Sequence, residues 1–181
     1  MKYRIKNTRL TVLILAYYQI IGGIIGLWVL VKILMNSQTI NGALLLIILI
    51  ALGLYYFSIK SGSLLIRQEY KRGLIYSMIH QSVQVIGIGF GGDKFLYYSG
   101  ANIGLGPNFT DGIEFKFLLE FFSEFEMSLN LSEKSYFLYV NILAMFLLYV
   151  FWDLYKELIL DEMKESTSPI EKTEIDEGFV I

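Results

Sequence analysis

Residues 73–90 read GLIYSMIHQSVQVIGIGF, an uncharged run, and whether it crosses a bilayer decides the fold. As a helix it gathers Ser77, His80, Gln81 and Gln84 on one stripe and leaves Leu74, Ile75, Met78, Ile79, Val83 and Ile86 mostly on the other faces. In a membrane bundle such a stripe turns toward protein, so the run is expected to be a third span. If it does not cross, the segment that follows becomes a cytoplasmic β-rich ligand-sensing domain carried on a two-helix anchor.

Toward the N-terminus the signals are stronger. Leu10–Val31 is uncharged over 22 residues, and at ~1.5 Å per residue it covers the ~30 Å of hydrocarbon in a bilayer. Its length, and the lack of a small-residue cleavage site after it, favour a retained span over a signal peptide. Ile40–Ile59 is a second uncharged run, joined to the first by Met35–Thr39, a link short enough only for an antiparallel hairpin. Toward the C-terminus, residues 135–152 (SYFLYVNILAMFLLYVFW) form a fourth apolar run with aromatics near both ends, and Asn141 within it is a candidate interhelical hydrogen-bond partner.

Composition agrees with an apolar solvent: 55% of residues are hydrophobic, 18% are charged and mean hydropathy is +0.53. The expected fold is therefore an integral membrane, mainly α protein: a four-transmembrane-helix bundle with spans at 10–31, 40–59, 73–90 and 135–152. A small antiparallel β-sheet is inserted between spans three and four. Helix continues to about 160, and a polar cytoplasmic tail occupies 161–181, disordered over its last dozen residues.

Basic residues set the orientation. Lys2, Arg4, Lys6 and Arg9 precede the first run, and Lys60, Arg67, Lys71 and Arg72 follow the second, so both groups are expected in the cytoplasm along with both termini. The 44 residues 91–134 hold three lysines against seven acidic residues and are expected outside. Within them Ile113, Phe115, Phe117, Leu119, Phe121, Ser123, Phe125, Met127, Leu129 and Leu131 alternate with mostly polar neighbours, a period of two. One strand of that length would reach ~60 Å, which predicts two strands broken near Phe122–Glu124. Lys94–Leu105 alternates as well, giving three strands or so. The apolar pattern, four runs with an alternating outer segment, resembles small bacterial membrane proteins and implies an inner (plasma) membrane location.

Few motifs carry chemistry. The glycines of Gly87–Gly92 satisfy a dinucleotide fingerprint formally, but no helix pattern follows and no βαβ unit surrounds them. They read better as a flexible exit from the membrane. Gly22 and Gly26 at GxxxG spacing, with Gly23 beside them, are candidate helix-packing positions within the bundle or between copies. His80 is the sole histidine, and an intramembrane ionisable group is a functional candidate. Against that, the four runs hold no acid to complete a proton relay or cation site, so a neutral His80 held by Gln84 or Asn141 suits the stripe better.

The chain has no cysteine, which excludes disulfides, thiolate metal sites and cysteine nucleophiles. The acids Asp93, Asp111, Glu114, Glu120, Glu124 and Glu126 have no second histidine to work with, so no catalytic, cofactor or metal site is expected. Asn108-Phe-Thr and Asn130-Leu-Ser match the glycosylation sequon, relevant only in a eukaryotic host. The net charge of −2 gives no reason to expect nucleic acid. Lipid is the certain environment on this reading, with a protein partner or a second copy as the further contact. The leading expectation is a non-enzymatic accessory or assembly component whose outer β segment docks a partner. A small oligomeric channel or transporter using the Ser77, His80, Gln81, Gln84 stripe is the alternative, and a membrane enzyme a third.

Overall fold

The computed structural model describes residues 8–37, 41–129, 132 and 134–167, with side chains through 160. The basic residues before Thr8, the Asn130 sequon position and the tail beyond 167 lie outside the described residues.

The first two apolar runs form a helical hairpin. Helix α1 (Thr8–Asn36) and α2 (Gly42–Ile66) are each long and apolar enough to cross a membrane. Neither is amphipathic in the soluble sense, because α1 buries Val12, Leu15, Ala16 and Leu30 yet exposes Leu10, Ile14, Tyr17, Ile21, Ile24 and Trp28 on its other face. Asn41 opens α2 by accepting a hydrogen bond from the Leu44 amide at 2.8 Å, an N-cap. The helix closes on paired bonds, Gln68 N–H to Leu65 O and Glu69 N–H to Leu64 O, with Gln68 in the left-handed region at φ 65°. This is the Schellman arrangement, with glutamine at the position that usually takes glycine.

The remaining two runs are not membrane-length helices, which overturns the four-helix transmembrane bundle. In 73–90 the helix α3 (Tyr70–Gln84) stops after 15 residues, and the rest of the run is strand β1 (Ile86–Gly91). In 135–152 the first part is strand β6 (Ser135–Asn141), and helix α4 (Ile142–Thr167) starts only at Ile142. The two strands pair antiparallel, Ile86 with Val140 through Gly91 with Ser135. Each run is thus half helix and half strand, because the pairing of β1 with β6 satisfies their backbone groups in place of helical bonds.

The sheet is correspondingly larger than a three-stranded insertion. β2 (Asp93–Tyr98), β3 (Asn102–Asn108), β4 (Glu114–Glu120) and β5 (Glu124–Ser128) join β1 and β6 in one six-stranded sheet of order β4-β3-β6-β1-β2-β5, antiparallel throughout. The chain break between β4 and β5 falls at Phe121–Ser123, while Lys94–Leu105 is divided by a turn at Ser99–Ala101.

The sheet is strongly curled. Strands β4 and β5 are its two edges, and in a flat sheet they would stand ~24 Å apart at ~4.8 Å per strand. The short link Phe121–Ser123 between them reaches at most ~14 Å. The hydroxyl of Tyr98 closes the curl further, lying between the carboxyl groups of Glu120 and Glu124 with its single proton to donate to one of them. Glycines make the concave side possible: Gly87, Gly89, Gly104 and Gly106 lie on it, and a side chain at Gly106 would overlap the carbonyl oxygen of Leu138.

Two clusters hold the molecule together. Val12, Leu15 and Ala16 of α1, Leu65 of α2, Leu74 of α3 and Phe151 of α4 meet in one, so all four helices pack at the end where α1 begins. Leu30, Ala51 and Tyr55 of the hairpin meet Tyr97 of β2 and Phe125 of β5 in the other. The sheet therefore stands beside the far half of the α1–α2 hairpin, flank to flank.

Candidate functional site

Where α1, α2, α3 and β2 converge, the chain buries a connected set of polar side chains. Ser77, His80 and Gln84 of α3 belong to it, and Gln81 is buried on the same face, all at 0–3% exposure. Helical spacing puts them on one face, and the short α3 aims that face at Gln19, Ser58, Tyr97 and Ser99.

The directions of the bonds can be worked out from one fixed donor. The Ser99 backbone N–H can only donate, and it meets Oε1 of Gln84 at 2.7 Å. Nε2 of Gln84 therefore faces His80 and donates to Nδ1 at 3.1 Å. With Nδ1 accepting, the ring is the neutral tautomer carrying its proton on Nε2, which donates to the Tyr97 hydroxyl at 2.8 Å. Phe57 and Tyr97 both contact the imidazole edgewise, with centroids 6.0 and 5.8 Å away.

A second branch ties the hairpin to the sheet. The Ser58 hydroxyl donates to the Gln19 carbonyl at 2.8 Å and lies 3.0 Å from Ser99 Oγ, whose proton then points to Ser58. Ser77 bridges 3.3 Å to Gln19 Oε1 and 2.7 Å to the carbonyl of Gly73. One turn further along α1, Ser123 donates to the Gly22 carbonyl at 2.6 Å and accepts from the Gly100 amide at 2.8 Å. Gln19 Nε2, Gln81 Nε2 and the Tyr55 hydroxyl have no partner among the described residues.

The glycines singled out in α1 allow this closeness, and their contacts are within the chain. A Cβ at Gly22 would sit 2.8 Å from Gly100 N and Ser99 C, backbone against backbone, so this glycine packs on the sheet. Gly23 faces Ile59 and the Tyr55 carbonyl, and Gly26 faces the Tyr55 ring. Asn141 is not an interhelical partner. As the last residue of β6 it caps α4, accepting from the Ala144 amide at 3.1 Å, while its own N–H bonds Val85 O at 2.8 Å. An asparagine before a helix start is a sequence signal, obscured here by the apolar residues on both sides of it.

His80 has both ring nitrogens engaged and no carboxylate or serine hydroxyl bonded to it, so the arrangement is a closed joint, without the geometry of a base beside a nucleophile. A second polar group, missed in the sequence because its members are far apart along the chain, joins Tyr98, Asn102, Glu120 and Glu124. Burial, and then the neighbouring carboxylates, hold Glu120 and Glu124 above the usual carboxyl range. They sit in a groove of about 610 Å³ between the two sheet edges, walled by Val29, Ile33, Leu119, Phe121 and Phe122. Glu126 and Glu114 instead lie within 3.4 Å of Lys94 and Lys116. Among the described residues, no three potential ligands gather to hold a metal ion. Comparison with models of protein families, with curated proteins and with solved structures gives no match for this chain.

Proposed function

We propose that this chain is a non-enzymatic accessory component of a membrane assembly, anchored by the α1–α2 hairpin and receiving a partner strand on the edge of β4. The supporting observation is β4 itself. It is an outer strand of the sheet, paired on one side only with β3, and it exposes Phe115, Phe117 and Leu119 at 70%, 60% and 52%. An unpaired edge with apolar side chains is the usual template for strand addition, in which main-chain bonds supply affinity and alternate side chains supply selection.

The anchor rests on the two apolar helices and on charge. Arg9 at the start of α1 and Arg67, Lys71 and Arg72 around the α2–α3 connection lie at one end of the hairpin, the cytoplasmic end by the positive-inside rule. The start of α1 and the later part of α4 line a common pocket with Tyr70, which puts both terminal helices at that same end.

The test is a photo-reactive side chain at Phe115 in the native membrane. An adduct heavier than the chain by a mass other than its own is expected, weakened by Phe117→Asp and absent when the probe is moved to Ile24. No adduct, or one of twice the chain mass, sinks the partner-strand reading.

A further inference from the structure

The sheet has one apolar face, and only part of it is covered. By register, Ile86, Ile88 and Phe90 of β1, Leu138 of β6, Phe95 and Tyr97 of β2 and Phe125 of β5 all project from the convex side. Tyr97 and Phe125 are buried against Leu30, Ala51 and Tyr55 of the hairpin. Ile86, Ile88, Phe90 and Leu138 are left open, 43–73% exposed. Lys94, Lys116, Glu114, Glu120, Glu124 and Glu126 lie on the other side, each alternating with convex residues. Asp93, paired with Phe90 beside the β1–β2 turn, is the one charged strand residue on the convex side and marks its polar end.

We infer that lipid acyl chains cover this open convex face, so that β1 and β6 lie at hydrocarbon depth beside the hairpin. The inference rests on the reading of α1–α2 as a bilayer-crossing anchor and follows from how the sheet meets it. The contacts run from Gly22, which abuts Ser99 and Gly100, to Leu30, which meets Tyr97 and Phe125. Both positions lie inside the uncharged stretch 10–31 of α1. A sheet packed flank-on against that stretch cannot stand clear of the bilayer that the stretch crosses.

The same apolar surface continues without a break in chain from strand to helix. Ile79 and Val83 of α3 lead into Ile86 and Ile88, and Leu138 leads into Ile142, Met145, Phe146 and Tyr149 of α4, all exposed. Hydrocarbon admits strands only where their backbone groups are paired, and β1 and β6 are interior strands bonded on both sides. Lys60 of α2, just past the uncharged run and toward the basic end of the hairpin, places its ammonium 5.7 Å from the Tyr76 ring centroid, a cation–π contact.

The experiment is tryptophan quenching in phosphatidylcholine vesicles whose acyl chains carry bromine, using the full chain. Trp152→Phe leaves Trp28, exposed on α1, as the reference for the anchor. Ile88→Trp and Leu138→Trp, each with Trp28→Phe and Trp152→Phe, report the sheet. Loss of most emission at all three positions is the expected result. Quenching at Trp28 but not at the two sheet positions overturns the inference and leaves the anchor standing, whether the face meets water or, with a doubled mass in mild detergent, a second copy. No quenching anywhere overturns the anchor and the inference together. Single cysteines at Ile88 and Leu138 guard against misfolding by the larger ring: they stay unreactive to a water-soluble maleimide applied from either side, and ready labelling overturns the proposal.

Discussion

Nε2 of His80 stands 2.8 Å from the hydroxyl oxygen of Tyr97, and this bond joins α3 to β2 across the boundary between helices and sheet. Both groups are fully buried, so removing one leaves the other without a partner. Tyr97→Phe is expected to cost ~1–3 kcal/mol, read as a drop in Tm of roughly 2–4 °C per kcal/mol for a chain of this size. In a double-mutant cycle with His80→Phe, the two losses are expected to be clearly non-additive. Additive losses would show that the two groups do not depend on each other.

The seam between α1 and the sheet predicts opposite outcomes for two glycines. At Gly22 an added methyl meets the backbone of Ser99 and Gly100, which cannot rotate away, whereas nothing lies within 4 Å of a methyl at Gly53 on α2. Gly22→Ala is expected to destabilise by ~1–3 kcal/mol, and Gly53→Ala to be neutral or to stabilise by up to ~1 kcal/mol. Thermal melts of the two variants in one detergent decide it. Equal melting temperatures would mean that the helix–sheet approach is looser than described.

At the end of α2, Gln68 holds φ 65°, a region that disfavours any residue with a Cβ. Gln68→Gly keeps the two closing bonds, to Leu65 O and Leu64 O, and relieves that strain. A gain of ~1 kcal/mol is expected, and a loss in the same melt would argue that the glutamine side chain makes a contact worth more than the strain.

Glu120 and Glu124 lie on the sheet, outside the two candidate spans, and predict a pH dependence. Burial first, and then the nearby negative charge, raise both above the ordinary value of 4.5. A carboxyl whose folded-state pKa is raised favours folding in its protonated form, so its contribution is complete below the unfolded value and is lost as pH rises through the folded one. Melting temperature is therefore expected to fall with rising pH over the window above 4.5 more steeply in the parent than in Glu124→Gln. Identical slopes would show that burial and the neighbouring Glu126 charge do not perturb this carboxyl.

At the start of α4, Asn141→Ala removes the acceptor of the Ala144 amide. A cap of this kind is worth ~0.5–2 kcal/mol, and Asn141→Asp is expected to restore most of it. Failure of both variants alike would point instead to the strand position of residue 141.

How much of this was legible in the sequence differs by element. The hairpin was, because two long uncharged runs joined by a short polar link leave few alternatives. The period-two alternation around 113–131 also identified strands and placed the break between them, since side chains on a strand must alternate sides whatever the partners are. The placing of Ser77, His80, Gln81 and Gln84 on one helical face was readable from spacing alone. The glycines of α1 marked small positions for close packing, but not that Gly22 would meet the Ser99–Gly100 turn of the sheet while Gly23 and Gly26 meet α2.

Tertiary structure decided the rest. Residues 73–90 and 135–152 are short apolar runs that suit a helix or a buried strand equally, and periodicity cannot choose between them. The choice is made by pairing between Ile86–Gly91 and Ser135–Val140, some fifty positions apart in the chain, which satisfies both backbones at once. For the same reason the partners of His80 on β2 and the meeting of Tyr98 with Glu120 and Glu124 were invisible beforehand. Local sequence determined which segments are apolar and how their side chains repeat; long-range hydrogen bonding determined which of them are helices, and thereby where the sheet stands beside the hairpin.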